Sequence, residues 1–144
     1  MSRRAVLDAI FGGDPTIAVV GLSPKPWRAS FDVAHAMQTR GYRIVPVHPV
    51  AAEVLGQKAY RSLNEAAREH RIEGVTIFRR AEEVPAVVEE AIAVGARWVW
   101  MQLGIEHEIA AERAHAAGLI VVQDACIKIE HARWLRAGGS TAGR

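Results

Sequence analysis

The chain has 144 residues, half of them apolar, with 18 Lys and Arg against 16 Asp and Glu. A chain of this length suits one domain that buries a sizeable core. The net charge of +2 is too small to indicate nucleic acid or a membrane surface as the main partner, so a basic site must be local.

Cysteine usage and the first residues both favour a cytoplasmic protein. Cys126 is the single cysteine, which excludes an internal disulfide and fits a reducing compartment. Arg3 and Arg4 faintly resemble a twin-arginine signal, but Asp8 and the turn at residues 12–15 interrupt any apolar segment. No later run is uncharged for long enough to span a bilayer.

The first elements in chain order are a short helix, a strand and a second helix. Residues 3–11 place their apolar side chains on one helical face, which predicts a helix at the edge of the domain. Residues 16–20 form an apolar, β-branched run that predicts a strand, and Gly21 ends it. Ser30 is placed to cap a following helix over residues 31–40.

Three glycines mark one kind of helix-to-strand junction: Gly41, Gly95 and Gly118. Each stands where a helix would end in a left-handed residue, and each precedes a run of β-forming residues. These runs, with one more that follows Gly74, predict strands over residues 42–47, 75–78, 97–102 and 119–123.

The intervening helices are amphipathic, and a capping box at residues 62–65 opens one that extends to about residue 69. The strands are almost continuously apolar, as expected of a parallel sheet covered by helices on both faces. Trp98 and Trp100 are predicted to lie in the core on one face, with Val99 on the other. The sequence therefore predicts a single-domain α/β protein with a three-layer, Rossmann-like, doubly wound parallel sheet.

Ligands of such sheets bind outside the carboxyl ends of the strands, so the residues that follow each strand form the candidate site. In the first such loop, Lys25 and Arg28 add cations near the unpaired amides of a helix start, which favours phosphate. A solvated βα connection is the plainer alternative. The later strands are followed by Val47, His48 and Pro49, by Phe78, Arg79 and Arg80, by Gln102, Gly104 and Ile105, and by Asp124, Ala125 and Cys126.

The first loop does not fit a nicotinamide dinucleotide. Only Gly21 of the G-x-G-x-x-G pattern is present, because Ser23 and Pro26 occupy the other two glycine positions. His48 and Pro49 follow the second strand, where an acid would bind the ribose hydroxyls. Cations around apolar strand ends instead suit an adenine nucleotide with more phosphate than NAD has, each shielded charge-assisted bond contributing about 1.5 to 3 kcal/mol.

Five ordered segments resemble the small stand-alone CoA-binding proteins that are related to the N-terminal domain of the succinyl-CoA synthetase α subunit. These segments are GLSPKPWRAS, GYRIVPVHP, VTIFRRAEEVP, WVWMQLGI and GLIVVQDACIKIEH. The resemblance covers nearly all of residues 16–135 and implies a Rossmann-like domain that binds coenzyme A. With the short helix over residues 3–11, we expect this domain to occupy residues 1–136. The Gly-, Ser- and Thr-rich residues 137–144 have little to bury and are expected to form a flexible tail.

The resemblance also implies which residues contact the coenzyme. Those implied near the phosphates are Gly21, Ser23, Lys25, Arg28 and Ser30. Those implied to line the nucleotide are His48, Pro49, Phe78 and Arg79, and we add Leu22, Val47 and Arg80 from their positions after strands. Gln102, Gly104 and Ile105 are implied to face the pantetheine arm. The chain has His48, Thr76 and Ala125 where the family commonly has Asn, Asp and Arg.

Cys126 offers a reactive thiol at a helix start, where the helix dipole favours the thiolate and a mixed disulfide with CoA becomes accessible. Glu130 and His131 lie nearby in the sequence, although their helical spacing does not require them to face the sulfur. A small buried cysteine is the plainer alternative.

Three other groupings have plainer alternatives too. Glu108, Glu112 and His115 share a helix face as metal ligands would, but without an H-E-x-x-H pattern a solvated face is favoured and no metal site is predicted. His48 is a candidate base whose position favours a nucleotide contact instead. Trp27 either stacks on a ligand or anchors its loop.

The favoured function is a CoA- or acyl-CoA-binding protein without a complete active site of its own. The related ligases use a second domain with a phosphorylated histidine, and little chain follows the predicted sheet. The alternatives are a thiol-dependent CoA-transfer or ligase-subunit role for Cys126, and a nicotinamide-nucleotide-sensing Rossmann domain, which the broken glycine pattern disfavours. Four tryptophans and an apolar edge permit a homodimer or another protein partner, but core packing explains them equally well.

Overall fold

The computed structural model describes residues 1–141. In chain order the elements are α1 (Arg3–Phe11), β1 (Thr16–Val20), α2 (Ala29–Thr39), β2 (Arg43–Val47), β3 (Glu53–Val54), β4 (Gln57–Lys58), α3 (Leu63–Ala67), β5 (Gly74–Ile77), a 3-10 turn (Ala81–Glu83), α4 (Val84–Ala93), β6 (Trp98–Met101), α5 (Glu108–Ala116), β7 (Ile120–Val122) and α6 (Ile127–Arg136).

Five strands form one parallel sheet in the order β2-β1-β5-β6-β7. The predicted Rossmann-like α/β fold is therefore confirmed. After β2 the chain crosses to the far side of β1, so the order reverses between β1 and β5. Val20 lies in register with Val47 and with Ile77, so β2, β1 and β5 end at one level of the sheet. This edge, beside the reversal, is where ligands bind in open α/β sheets.

Helices cover both faces of the sheet. α1, α2 and α6 pack with one apolar cluster, and α3, α4 and α5 pack with the other. Trp98 and Trp100 are buried in the first cluster and Val99 in the second, as the alternation along a strand predicts. The glycines at the three predicted junctions all have positive φ, as expected of residues that end helices: Gly41, Gly95 and Gly118.

The structure adds one element that the sequence pattern did not indicate. β3 and β4 form a two-stranded antiparallel hairpin, with Leu55 at φ 54° and Gly56 at φ 74° in its turn. Positive φ at both central residues matches the twist of a two-residue hairpin. The hairpin leads into α3, which ends at Ala67, before the predicted residue 69.

The end of the chain packs back on α1 as far as the structure describes it. Arg4 Nη1 donates to the carbonyl of Ala137 at 2.8 Å, and Gly139 N–H donates to the carbonyl of Trp134 at 2.8 Å. Residues 142–144 of the expected tail lie outside the described residues. No helix in the described part of the chain combines the length and the apolar character needed to cross a membrane.

Candidate functional site

Gly21 turns the chain out of β1 at the point where the strand order reverses. Its φ is +87°, and a Cβ at this position would overlap the carbonyl oxygen of Phe78. Its N–H donates to the carbonyl of Val47 at 3.0 Å. The first residue of the candidate loop is thus held between the ends of β2 and β5, and only glycine fits there.

Two serine hydroxyls close the loop after Gly21. Ser23 N–H donates to Ser30 Oγ at 3.0 Å, and Lys25 N–H donates to Ser23 Oγ at 3.1 Å. The prediction that Ser30 caps the helix is wrong, because α2 begins at Ala29 with Arg28 in the N-cap position. Ser30 is instead buried in the first turn, where its hydroxyl satisfies a backbone amide of the loop.

An open cleft of about 640 Å³ lies over the start of α2, and we call it the α2 cleft. Its volume falls within the range of small-molecule sites. Seven of its nine lining residues belong to the predicted site, and Pro24 and Ala29 are the two that sequence reasoning missed. Both residues lie in the loop that the sequence already assigns to the site, and this position is the signal that could have identified them. The lining residues are Gly21, Ser23, Pro24, Lys25, Arg28, Ala29, Ser30, His48 and Phe78.

His48 lines the α2 cleft as a neutral ring of fixed orientation. Its Nδ1 accepts from the N–H of Val50 at 3.1 Å and from the N–H of Ala51 at 2.8 Å. A nitrogen that accepts cannot carry the proton, so we assign the proton to Nε2. Burial, and secondly the positive charge of Arg79, lower the pKa of His48 below its ordinary value. The ring of this lining residue therefore carries its proton on Nε2 and is a donor rather than a base.

A second hollow, of about 400 Å³, lies at the same edge on the other face of the sheet, and we call it the α4 cleft. Arg79 lines this hollow, whereas Arg80 forms ion pairs at 3.6 Å with Glu82 and with Glu83. The four predicted rim cations are thus divided, with only Lys25 and Arg28 in the α2 cleft. The α4 cleft is lined by Val20, Val47, Arg61, Ser62, Leu63, Arg79, Glu82, Glu83, Ala86, Val87 and Glu90.

Leu22 and Pro49 are predicted site residues that line neither cleft. Leu22 is fully buried in the core, and Pro49 is exposed. Trp27 is 76 % exposed, with Lys25 Nζ 5.9 Å from its ring centroid. Trp27 therefore does not anchor the loop by burial, and most of its side chain is exposed.

The loops after β6 and β7 are joined to each other by hydrogen bonds. Asp124 Oδ1 accepts from Gly104 N–H at 2.7 Å, and Asp124 N–H donates to the carbonyl of Ile105 at 3.1 Å. Gln102 Oε1 accepts from the N–H of Ile127 at 3.2 Å, which ties the end of β6 to the start of α6. The residues implied to face a pantetheine arm are thus hydrogen-bonded to residues on either side of Cys126.

Cys126 is the half-buried N-cap residue of α6, and its side chain makes no capping hydrogen bond. Glu130 pairs with Arg3 at 2.7 Å, and the two arginines near this carboxylate, Arg3 and Arg133, lower its pKa although partial burial opposes them. His131 is buried, with Nδ1 3.2 Å from Arg40 Nη1. Since both side chains contact other elements, Cys126, Glu130 and His131 do not form one group.

The remaining candidate grouping lies on the surface of α5. Glu108, Glu112 and His115 are exposed. Among residues 1–141 no cluster of acidic, histidine or cysteine side chains is arranged to hold a metal ion.

The doubly wound sheet, with an open cleft beside its strand reversal, defines a Rossmann-like domain. A sequence model of the family described as CoA binding domain matches residues 15–132. YneT of Bacillus subtilis (strain 168) is 42% identical over 129 residues, which cover 90% of this chain and 94% of that protein. The chain belongs to the CoA binding domain family.

Solved structures of similar proteins have the same fold. A hypothetical protein from Pyrococcus horikoshii OT3 is 36% identical, with a TM-score of 0.88 and 93% of each chain covered. Cell-free ID.343 from Thermus thermophilus is 30% identical, with a TM-score of 0.86, and the match covers 92% of this chain and 99% of that one.

Proposed function

We propose that this protein binds coenzyme A or an acyl-CoA, with the phosphate-rich nucleotide end in the α2 cleft. The observation that carries the proposal is that Lys25 and Arg28 line an open cleft at the start of α2, in a chain of the CoA binding domain family. The amides of a helix start and two cations favour the same ligand, a phosphate.

Within residues 1–141, no carboxylate neutralises the charges of the α2 cleft. In the described part of the chain, neither Lys25 nor Arg28 forms an ion pair, and no carboxylate lines the cleft. Arg80, by contrast, is paired with neighbouring acids. A phosphate would therefore meet two cations without displacing an internal partner, and each shielded contact contributes about 1.5 to 3 kcal/mol.

The apolar part of the ligand has surfaces nearby. The half-buried Phe78 lines the α2 cleft, and the exposed ring of Trp27 lies in the same loop as the cations. The neutral His48 ring adds a donor for a ribose or purine acceptor. A nicotinamide dinucleotide fits this site less well, because no acidic residue follows β2 to bind its ribose hydroxyls.

We propose a binding module rather than a complete enzyme. The described lining of the α2 cleft contains neither a carboxylate nor a thiol, and its histidine is a donor. Acid–base chemistry on a bound acyl group would need residues from another surface.

Calorimetric titration of the reduced protein with CoA, dephospho-CoA and NAD tests the proposal. We expect CoA to bind most tightly, dephospho-CoA roughly tenfold more weakly because one phosphate is lost, and NAD most weakly. Native mass spectrometry of the purified protein would show whether CoA is retained. Equal affinity for all three nucleotides would contradict the proposal.

A further inference from the structure

We propose that Cys126 is a thiol–disulfide exchange site whose substrate is the disulfide form of the coenzyme. A ligand anchored by its nucleotide in the α2 cleft is then held covalently through its sulfur. This inference rests on the proposed function, because the nucleotide has to bring the sulfur to the start of α6.

The α2 cleft and Cys126 lie on the same face of the sheet and at the same edge. Lys128 Nζ pairs with Asp32 Oδ2 at 2.9 Å, so the first turns of α6 and α2 lie side by side. Phe78 of the cleft and Cys126 both pack against the apolar cluster on this face. Ala125, next to Cys126, donates its N–H to the carbonyl of Met101 at the end of β6 at 3.4 Å. The end of β6 is two strand spacings, about 10 Å, from the end of β1, where the loop of the α2 cleft begins. An extended pantetheine arm crosses such a distance.

A buried side chain beside Cys126 lacks a partner that a ligand would supply. Gln102 is 2 % exposed, and its Oε1 accepts from the N–H of Ile127, the residue after Cys126. This bond fixes which end of the amide is oxygen, so Nε2 is the donor. Within residues 1–141, Nε2 has no hydrogen-bond acceptor although it is buried. The amide carbonyls of a pantetheine arm are acceptors of the kind that this donor needs.

The backbone holds Cys126 in a fixed position relative to Gln102. Asp124 adopts φ 52°, a conformation that L-residues rarely adopt, and its carboxylate accepts from Gly104 N–H. These contacts join the cysteine loop to the loop that begins at Gln102. A positioned thiol suits an exchange in which the nucleotide supplies the affinity and the geometry.

The exchange balances without an added oxidant. The Cys126 thiol loses its proton to water, and its sulfur attacks one sulfur of CoA disulfide. A bond forms between Cys126 and that CoA sulfur, the original sulfur–sulfur bond breaks, and the second CoA leaves as a thiolate that takes up a proton. The number of disulfide bonds is unchanged, and excess free thiol reverses the reaction.

The test compares two disulfides on reduced protein freed of reductant. Intact-mass spectrometry follows adduct formation with CoA disulfide and with glutathione disulfide at equal concentration. We expect CoA disulfide to react at least about tenfold faster, because the cleft raises its effective concentration. We expect C126S to form no adduct, and a variant with both Lys25→Ala and Arg28→Ala to react with the two disulfides at similar rates. Equal rates in the wild-type protein would overturn the proposal.

Calorimetry with CoA under a non-thiol reductant separates this inference from the proposed function. CoA binding together with equal exchange rates would refute the role of Cys126 and leave the binding function intact. An absence of CoA binding would refute the proposed function itself, and the exchange site with it.

Discussion

The Cα of Gly21 faces the carbonyl oxygen of Phe78 so closely that no side chain fits between them. This contact lies where the strand order reverses, with β1 ending between β2 and β5. Phe78 N–H also donates to the carbonyl of Val20 at 2.8 Å, so two contacts join Phe78 to the end of β1 in the lining of the α2 cleft. The candidate site therefore depends on a backbone approach as much as on its charged side chains.

Gly21→Ala should destabilise the fold strongly. The positive φ costs about 1 to 2 kcal/mol for an L-residue, and the overlap with Phe78 should raise the loss in unfolding free energy to about 3 kcal/mol. Gly56→Ala is the matched control, because Gly56 has φ +74° and open space around its Cβ position. Urea unfolding of both variants measures the difference. Equal losses would mean that the approach to Phe78 carries no cost.

Ser30→Ala should loosen the loop over the start of α2. The Ser23 N–H loses its acceptor, which should lower the free energy of unfolding by about 1 kcal/mol. Hydrogen exchange of residues 22–28 should accelerate. Ser2→Ala is the control, since it removes a similar bond to Ala5 N–H in α1. If both variants leave exchange of residues 22–28 unaltered, Ser30 does not hold the loop.

Stability should fall with acidification through His48. The ring has a lowered pKa in the folded protein, caused first by burial and then by Arg79, whereas the pKa of an unfolded histidine is about 6.5. As pH falls, the unfolded chain takes up this proton before the folded protein does. The contribution of the neutral His48 ring to the free energy of unfolding is therefore complete above the unfolded pKa, and it is lost as pH falls through the folded pKa.

His48→Asn isolates this titration from the other five histidines. An asparagine oxygen accepts from backbone N–H groups two residues onward, so it should preserve the turn that receives Val50 N–H without titrating. We expect the wild-type melting temperature to fall relative to that of the variant between about pH 7.5 and about pH 5. Parallel pH profiles for the two proteins would refute the role given to His48.

Saturating CoA should protect Trp27 from acrylamide quenching. Trp27 is 76 % exposed, whereas Trp98, Trp100 and Trp134 are buried, so quenching reports mainly on the cleft loop. Trp27→Ala should change the unfolding free energy by no more than about 0.5 kcal/mol, because it removes an exposed side chain. The protective effect should disappear in that variant. Quenching unaffected by CoA in the wild type would show that the ligand does not cover Trp27.

The sheet was predictable because its signals are local. Gly21 ends the first apolar run, and Gly41, Gly95 and Gly118 end the helices that precede three later runs; all four adopt positive φ and mark these strands without reference to tertiary contacts. The β3–β4 hairpin was not predictable in this way. Each of its strands has two residues, and Leu55 adopts positive φ although leucine is rare in that conformation.

The site was only partly predictable, because partners distant in the sequence decide where a side chain lies. Ser30 looks like a helix cap, yet its hydroxyl is bound by Ser23 on the preceding loop. Arg80, predicted as a ligand contact, forms ion pairs with Glu82 and Glu83 and lines neither cleft. A residue that follows a strand is predicted to lie at the edge of the sheet where ligands bind. The sequence does not predict on which face of the sheet its side chain lies.

The most direct test of the account is the CoA affinity of charge-removal variants on the rim. We expect Lys25→Ala and Arg28→Ala each to weaken binding by about 1 to 3 kcal/mol in a calorimetric titration, because each removes a phosphate contact from the α2 cleft. Arg80→Ala should bind CoA as the wild type does, because Arg80 lies with Glu82 and Glu83 outside that cleft. Unchanged affinity in both cleft variants would contradict the claim that the start of α2 holds the phosphates of the coenzyme.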